Sequence, residues 1–265
     1  MVKLLGIPFD ANSSFLKGPA LAPPRIRLMD TDGSANNFAE NGEAITAGNV
    51  YTDLGDLLFT GPNAAAAFET IQQRVGEEIK DGDKLLCLGG DHSISYPIID
   101  VYTNYYPNLH VLHLDAHADL YEEFDNNPYS HASPFARILE KGKIASLTQV
   151  GIRTLNTHQR KQAEKYGVQV IEMKDFTNDF IQQLSGPLYI SLDMDVLDPA
   201  FAPGVSHHEP GGLSTRELLC IIQSIRANIV GADMVEYNPV RDVHNLTAMV
   251  AYKLLKELMA KMFAE

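Results

Sequence analysis

Cysteine is nearly absent: the 265 residues contain only Cys87 and Cys220. Each sits in an apolar run, KLLCLGG and ELLCIIQSI, where a thiol behaves as a small hydrophobe and not as a disulfide partner or nucleophile. Basic residues are also scarce. The 21 Lys and Arg stand against 34 Asp and Glu, giving a net charge of −13 and a pI near 5.1. Phosphate binding draws on clustered Lys and Arg, so a general nucleic-acid scaffold is excluded. The acidic field suits a small cationic substrate, and solubility is the plainer use of the same charge. No run approaches the ~20 apolar residues of a membrane span, and the apolar patch in MVKLLGIPFDANSS is too short for a signal-peptide core. A soluble cytoplasmic protein is expected, with no nucleic-acid or membrane partner. Hydrophobic residues at 45% and charged residues at 21% remove disorder and low complexity from consideration.

What is present is alternation. Short apolar runs exchange with helical periodicity from end to end, the pattern of a mainly parallel sheet with helices on both faces, an α/β fold. The expected strands are Val2–Gly6, Lys84–Leu88, His110–Leu114, Leu147–Gly151, Val168–Ile171, Leu188–Leu192 and Ile229–Met234. The clearest helix is Ala64–Lys80, where Ala67, Ile71, Val75 and Ile79 recur every four residues behind a capping Asn63. Further helices are expected over Ser133–Glu140, Thr157–Lys165, Thr215–Ala227 and Leu246–Phe263, with Ser214 and Glu217 at capping-box spacing. No repeat, charge block or linker interrupts the alternation, so residues 1–265 are read as one domain. Gly18–Pro24, Asn126–Pro134 and Phe201–Gly212 read as long loops, a common place for function.

In an open parallel sheet the site lies beyond the carboxyl ends of the strands. Three strands end there in polar residues: GGDHS (Gly89–Ser93), DAHAD (Asp115–Asp119) and SLDMDVLDP (Ser191–Pro199). Alternate side chains of an extended segment share a face, so Asp115, His117 and Asp119 point together, as do Asp193 and Asp195. Carboxylates and imidazoles buried at strand ends must be paired or metal-bound, and too few basic residues lie nearby to neutralise them. A metal site follows, with His92, Asp115, His117, Asp119, Asp193 and Asp195 as ligands. Hard oxygen donors with imidazole favour manganese- or magnesium-like ions over structural zinc, which usually calls on thiolates. Four carboxylates balance two divalent ions, and a bridging hydroxide leaves a net −1 that welcomes a cation. A single Asp-x-Asp would instead be read as a cap or turn. His113, inside its strand, and Asp91 are expected to support the ligands, and Asp198 to serve the following turn.

These three motifs, with SHASPF (Ser130–Phe135) and VEYNP (Val235–Pro239), resemble the ureohydrolases: arginases, agmatinases, guanidino-acid hydrolases and formimidoylglutamases. The resemblance covers nearly the whole chain. It implies a three-layer α/β/α arrangement and two Mn²⁺ per chain, with His92 and Asp119 on one ion, His117 and Asp195 on the other, and Asp115 and Asp193 bridging. It also implies a homotrimer or homohexamer. Hydroxide formed between the ions would attack the guanidinium carbon. Asp119 would relay the released proton, His131 would deliver one to the departing amine, and Glu236 would anchor the guanidinium by charge-assisted bonds.

Arginases grip the α-carboxylate and α-amino groups with polar residues at places that here hold Tyr121 and Asn156. That grip is not evident, so agmatine or a related guanidino compound is expected before arginine, with Tyr121 and Asn156 still lining the substrate site. PAFAPGVS (Pro199–Ser206) also resembles the formimidoylglutamase loop, yet no Lys or Arg lies in Tyr121–Pro134 or Phe201–Gly212 to clamp a dicarboxylate. In SHHEPGG (Ser206–Gly212), His207 and His208 stand where arginases and agmatinases usually have small or hydroxylated residues; His207 is taken as a substrate contact at the pocket rim, and solvated loop residues are the alternative. A zinc deacetylase of related fold would need one metal, and a non-catalytic binding protein would be expected to have lost ligands. Neither fits the complete set.

Overall fold

The computed structural model describes residues 1–32 and 35–264. Eight strands form one sheet: β1 (Val2–Ile7), β2 (Tyr51–Asp56), β3 (Lys84–Gly89), β4 (His110–Leu114), β5 (Ser146–Ile152), β6 (Gln169–Glu172), β7 (Pro187–Asp193) and β8 (Asn228–Val235). Their order is β2-β1-β3-β8-β7-β4-β5-β6, and every pairing is parallel. The inner strands are apolar on both faces because helices cover both. Seven of the strands lie where the apolar runs put them. The eighth, β2, has the sequence YTDLGD and is exposed along most of its length. It carries no apolar run because it is an edge strand paired only to β1.

Helices α1 (Ala22–Thr31), α2 (Ala64–Ile79), α3 (Ser95–Tyr105), α4 (Pro134–Lys141), α5 (Thr157–Tyr166), α6 (Thr215–Ser224) and α7 (Leu246–Phe263) complete the layers. Alternation along the strands divides the apolar side chains into two cores. Leu86, Leu88, Leu112 and Leu114 pack with α1, α6 and α7, whereas Leu85, Cys87 and Val111 pack with α2, α3 and α4. The result is the expected three-layer α/β/α arrangement. Asn63 caps α2 through the Ala66 N–H, and Ser214 and Glu217 form the reciprocal capping box of α6; each such cap stabilises by about 1 kcal/mol.

Two helices lie where none was expected. The Gly18–Pro24 stretch, read as a loop, runs into α1, whose prolines fall in the first turn, where a missing N–H leaves no bond unmade. Helix α3 follows the GGDHS segment directly and buries Ile98, Ile99, Val101 and Tyr102. Helix α6 ends at Ser224, short of Ala227, as Ile225 turns extended into β8. Both cysteines are free, Cys87 buried and Cys220 only half-buried. Among the described residues no helix is long and apolar enough to cross a membrane.

Candidate metal centre

The polar strand ends converge because β3, β8, β7 and β4 are neighbours in that order. Their carboxyl ends bring His92, Glu236, Asp193 with Asp195, and Asp115 through Asp119 together at one cavity, which His117, Asp119, Asp193, Asp195 and Glu236 line, and the loop after β1 closes the side next to β3. The two loops meet backbone to backbone: Gly90 N–H donates to Ile7 O, Asp91 N–H to Phe9 O, and Glu236 N–H to Gly90 O. A Cβ on Gly90 would lie 1.8 Å from Phe9 O, so this close approach requires glycine.

The expected ligands form two clusters that share one carboxylate. His92 Nδ1 lies 3.1 Å from Asp115 Oδ2, 3.1 Å from Asp119 Oδ2 and 3.2 Å from Asp193 Oδ2. His117 Nδ1 lies 3.0 Å from Asp195 Oδ2 and 3.4 Å from Asp115 Oδ1. Asp115 therefore offers one oxygen to each side, as a carboxylate that bridges through both oxygens does. Asp193 contacts His92, and its Oδ1 accepts at 2.8 Å the N–H of Asp195, the residue that meets His117.

The donor atoms fit cations. His92 Nε2 is 3.0 Å from Ser191 Oγ, which donates to Asp233 Oδ1 at 2.7 Å, so the hydroxyl accepts from the imidazole and Nε2 carries the ring proton. Nδ1 is then bare. It is buried, makes no hydrogen bond despite three carboxylate oxygens within 3.2 Å, and points its lone pair at theirs. In the neutral ring such an arrangement is repulsive unless positive charge occupies the space between them; burial opposes a charged ring, yet the same three carboxylates raise His92 well above its ordinary range, so the position calls for positive charge, from a proton or a metal ion. The carboxylates carry the same signal. Burial first, then the charges of Asp195 and Asp115, pushes Asp193 well above the usual carboxylate range, and burial with Asp115 raises Asp195. Asp115 lies far below that range: burial opposes ionisation, but the His113 ring with the bond it donates, and the neighbouring His117 and His92, prevail.

His113 is a support for the site. Its Nε2 is 2.7 Å from Asp115 Oδ2, and its Nδ1 accepts from Gln149 Nε2 at 2.9 Å. The ring thus donates to the ligand carboxylate and has no atom left for a metal. Tyr189 completes the buried Asp233 set, donating to Oδ2 at 2.8 Å. Asp91 takes the Asn12 N–H at 2.9 Å and the Ser93 N–H at 3.1 Å. Burial and the nearby Glu236 raise it to about 6.

Across the cavity, His131 Nδ1 meets Glu236 Oε1 at 2.7 Å, and the same oxygen accepts the His92 N–H at 2.9 Å. Burial disfavours the imidazolium, but Glu236, with smaller help from Asp91 and Asp119, overrides it and lifts His131 to about 9. Glu236 (φ 63°) and Asp119 (φ 50°) both adopt left-handed backbone, a strained state for such residues that clusters at working sites.

Of the substrate contacts expected from sequence, His131, Glu236, Tyr121 and His207 line this cavity with His117, Asp119, Asp193 and Asp195. Asn156 does not. It caps α5 by accepting the Gln159 N–H and donates to the Tyr121 hydroxyl at 2.6 Å, so it holds Tyr121 in place. His207 is half-buried between His117, His131 and Phe15, with ring centroids 5.8, 5.4 and 5.6 Å away. His208 points outward to Pro203 O and Arg241. Ser14, Phe124, Thr154 and Gln159 also line the cavity and were missed in the sequence. Asp198 accepts from Ala200 N–H and Gly211 N–H, the turn role expected of it.

The sequence and fold are similar to those of known proteins across nearly the full length of this chain. A model of the arginase family matches residues 1–261. The chain is 46% identical over 273 residues to mitochondrial arginase 1 of Arabidopsis thaliana, covering 97% of this chain and 80% of that one. Against agmatinase of Bacillus anthracis the identity is 31% over 264 residues, covering 97% and 90%. The structure of arginase from Medicago truncatula superposes with a TM-score of 0.94 at 43% identity, over 98% of this chain and 87% of that chain.

Proposed function

The chain belongs to the arginase family of hydrolases acting on guanidino C–N bonds, and from that premise we propose that it holds two manganese ions and splits a small guanidine into urea and an amine. The observation that carries this reading is the bare Nδ1 of His92 among three carboxylate oxygens, with Asp115 reaching from that cluster to the one around His117. His92 and Asp119 would hold one ion, His117 and Asp195 the other, with Asp115 and Asp193 between them. When bound, such a pair polarises the substrate and supplies hydroxide at neutral pH.

The protein's own groups do the rest. A cationic guanidinium is drawn to a cavity lined by Asp119, Asp193, Asp195 and Glu236, with no Lys or Arg in its lining. Glu236 Oε1 is already taken by two donors, so the contact to the guanidinium falls to Oε2. His131, holding its proton at neutral pH, supplies the proton for the departing amine.

For the tail, arginine comes first. The stronger of the two sequence similarities is to an arginase, and the Tyr121 hydroxyl in the lining, which accepts from Asn156 and keeps its own proton, can donate to a carboxylate without a cationic clamp. Agmatine, the substrate put first by the sequence motifs, is the second reading. It is favoured by the absence of basic side chains in the lining and by Asn156 being engaged with α5 and Tyr121. Formiminoglutamate, with two carboxylates, suits this acidic cavity least.

The test loads the protein with manganese, measures metal per chain, and scores urea and formamide from arginine, agmatine, guanidinobutyrate and formiminoglutamate. Near two manganese per chain and urea from arginine, with a higher kcat/KM than for agmatine, is the expected result. The reverse ratio makes agmatine the substrate, and formamide moves the assignment to formiminoglutamate. One zinc without urea would point to deacetylase-like chemistry. No product with metal bound refutes the proposal. A trimer or hexamer is expected by light scattering.

A further inference from the structure

His131 has both ring nitrogens engaged. Nδ1 meets Glu236 Oε1 at 2.7 Å, and Nε2 lies 2.8 Å from Ser14 Oγ and 3.2 Å from the Ser14 backbone nitrogen. A carboxylate only accepts, so Nδ1 keeps a proton in both states of the ring, and the proton that comes and goes is the one on Nε2. Its immediate partner is a serine that also lines the cavity.

Ser14 has a group for each state. When Nε2 is protonated, the hydroxyl oxygen accepts from it. When Nε2 is bare, the backbone N–H and the rotated hydroxyl both donate to it, and the 3.2 Å backbone bond already has the geometry for that second state. Loss of the proton therefore leaves no buried acceptor unsatisfied.

We propose that the Ser14 hydroxyl is the last link in proton delivery to the departing amine. Nε2 passes its proton to Ser14 Oγ as Oγ–H passes its own to the amine nitrogen. The C–N bond breaks with its electron pair on that nitrogen, the amine gains one proton, His131 ends neutral, and Ser14 is unchanged. This step rests on the guanidine-hydrolase reading above.

The loop is built to hold Ser14 there. Asn12 N–H donates to Asp91 Oδ2 at 2.9 Å, and Asn12 Nδ2 to Ser93 Oγ at 3.1 Å. On its other side Asn12 O accepts the His131 N–H at 3.2 Å, and Asn12 Oδ1 accepts from Asn127 Nδ2 at 3.2 Å. One residue thus fastens the Ser14 loop both to the segment bearing His92 and to the segment bearing His131, which fixes the donor-to-acceptor distance a relay needs.

The experiment is a double-mutant cycle on the manganese-loaded protein: wild type, Ser14→Ala, His131→Ala and the double variant, with Ser14→Thr alongside. Urea release from arginine and agmatine is the rate, and metal per chain is measured for each variant. Ser14→Ala is expected to lower kcat about tenfold or more with KM little changed, within the range of general acid catalysis. Ser14→Thr should restore most of the loss, and Ser14→Ala should cost nothing further once His131 is Ala. Wild-type kcat in Ser14→Ala, equal losses in both backgrounds, or no recovery with Thr overturns the relay while leaving the hydrolase reading intact. Absence of urea from wild type with any guanidine overturns the hydrolase reading and the relay with it.

Discussion

Replacing Glu236 by Gln tests the charge arrangement that readies His131. The carboxylate lies 2.7 Å from Nδ1 and is the largest influence raising the ring, which stands at about 9 against an ordinary 6.5. At 1.36 kcal/mol per unit that difference is about 3 kcal/mol, and because burial opposes it, the contribution of Glu236 itself is larger. Gln keeps the shape and an acceptor for the His92 N–H but removes the charge, so His131 should titrate at or below about 6.5. At pH 8 a ring with pKa 9 is roughly 90% protonated and one at about 6.5 roughly 3%, so kcat should fall about 30-fold and recover as pH is lowered. Bound ions lower both values together and leave the gap. The other groups facing the ring, Asp91, Asp119 and His207, are unchanged between the two proteins. A raised pKa also carries a stability term, present in full below the unfolded value near 6.5 and lost as pH rises through about 9. Wild type should therefore exceed Glu236→Gln in unfolding free energy by about 3 kcal/mol near pH 6, with the excess shrinking toward pH 9. The assays are NMR titration of labelled imidazoles in the Mg²⁺-loaded protein, which avoids Mn²⁺ paramagnetism, urea-release pH profiles, and urea denaturation. An unchanged titration of His131 in the variant would refute the reasoning.

Asp115→Ala removes the carboxylate common to both clusters and should leave less than one tightly held Mn²⁺ per chain, whereas Asp119→Ala, which touches only the His92 side, should keep about one; elemental analysis after gel filtration decides. Asp233→Asn replaces the oxygen that takes the Ser191 or the Tyr189 hydroxyl by a second donor. It should cost about 1–3 kcal/mol in denaturant unfolding and weaken metal binding about 10- to 100-fold in a chelator competition; unchanged affinity would show that the Ser191 bond does not orient His92. Mn²⁺ at a hundredfold over its Kd should raise the unfolding free energy by about 2.7 kcal/mol per site, and a midpoint indifferent to Mn²⁺ would show that the two clusters do not bind it in the native state.

The candidate ligands were legible as a group because their signal is local. Asp115, His117 and Asp119 fall at alternate positions, and so do Asp193 and Asp195, each set directly after an apolar run, and strand geometry alone gives them a common direction. His131 and Glu236 became meaningful only through the family resemblance, since neither has a local pattern. Ser14 was missed because its partner is 117 residues away, although its place just past the carboxyl end of β1 marks it as a rim residue in a sheet of this kind. Asn156 was misplaced for the opposite reason. Asn156 followed by Gln159 has the spacing of a helix start, and that local meaning is the one the structure realises. Edge strand β2 and helix α1 were lost to composition, the first being acidic and exposed, the second opening on two prolines.

The same crowding that makes the site useful makes it unfavourable to fold without cations. Asp193 and Asp195 are both raised by burial and by neighbouring carboxylates, and Asp119 and Glu236 sit in left-handed backbone at about 1–3 kcal/mol each. Nothing in the apolar cores requires these residues at the strand ends; the sheet and its two helix layers close without them. What holds the strain in place is the surrounding lattice of fixed partners: His113 on Asp115, Ser191 and Asp233 on His92, Gly90 O on the Glu236 N–H. Divalent ions would reverse the sign of the largest of these unfavourable terms by replacing carboxylate repulsion with coordination. The proposed metal binding, native stability and the proposed attraction of a cationic substrate are therefore consequences of one arrangement, and a variant that relieves the repulsion, such as Asp193→Asn, is expected to gain stability in the metal-free protein while losing metal affinity.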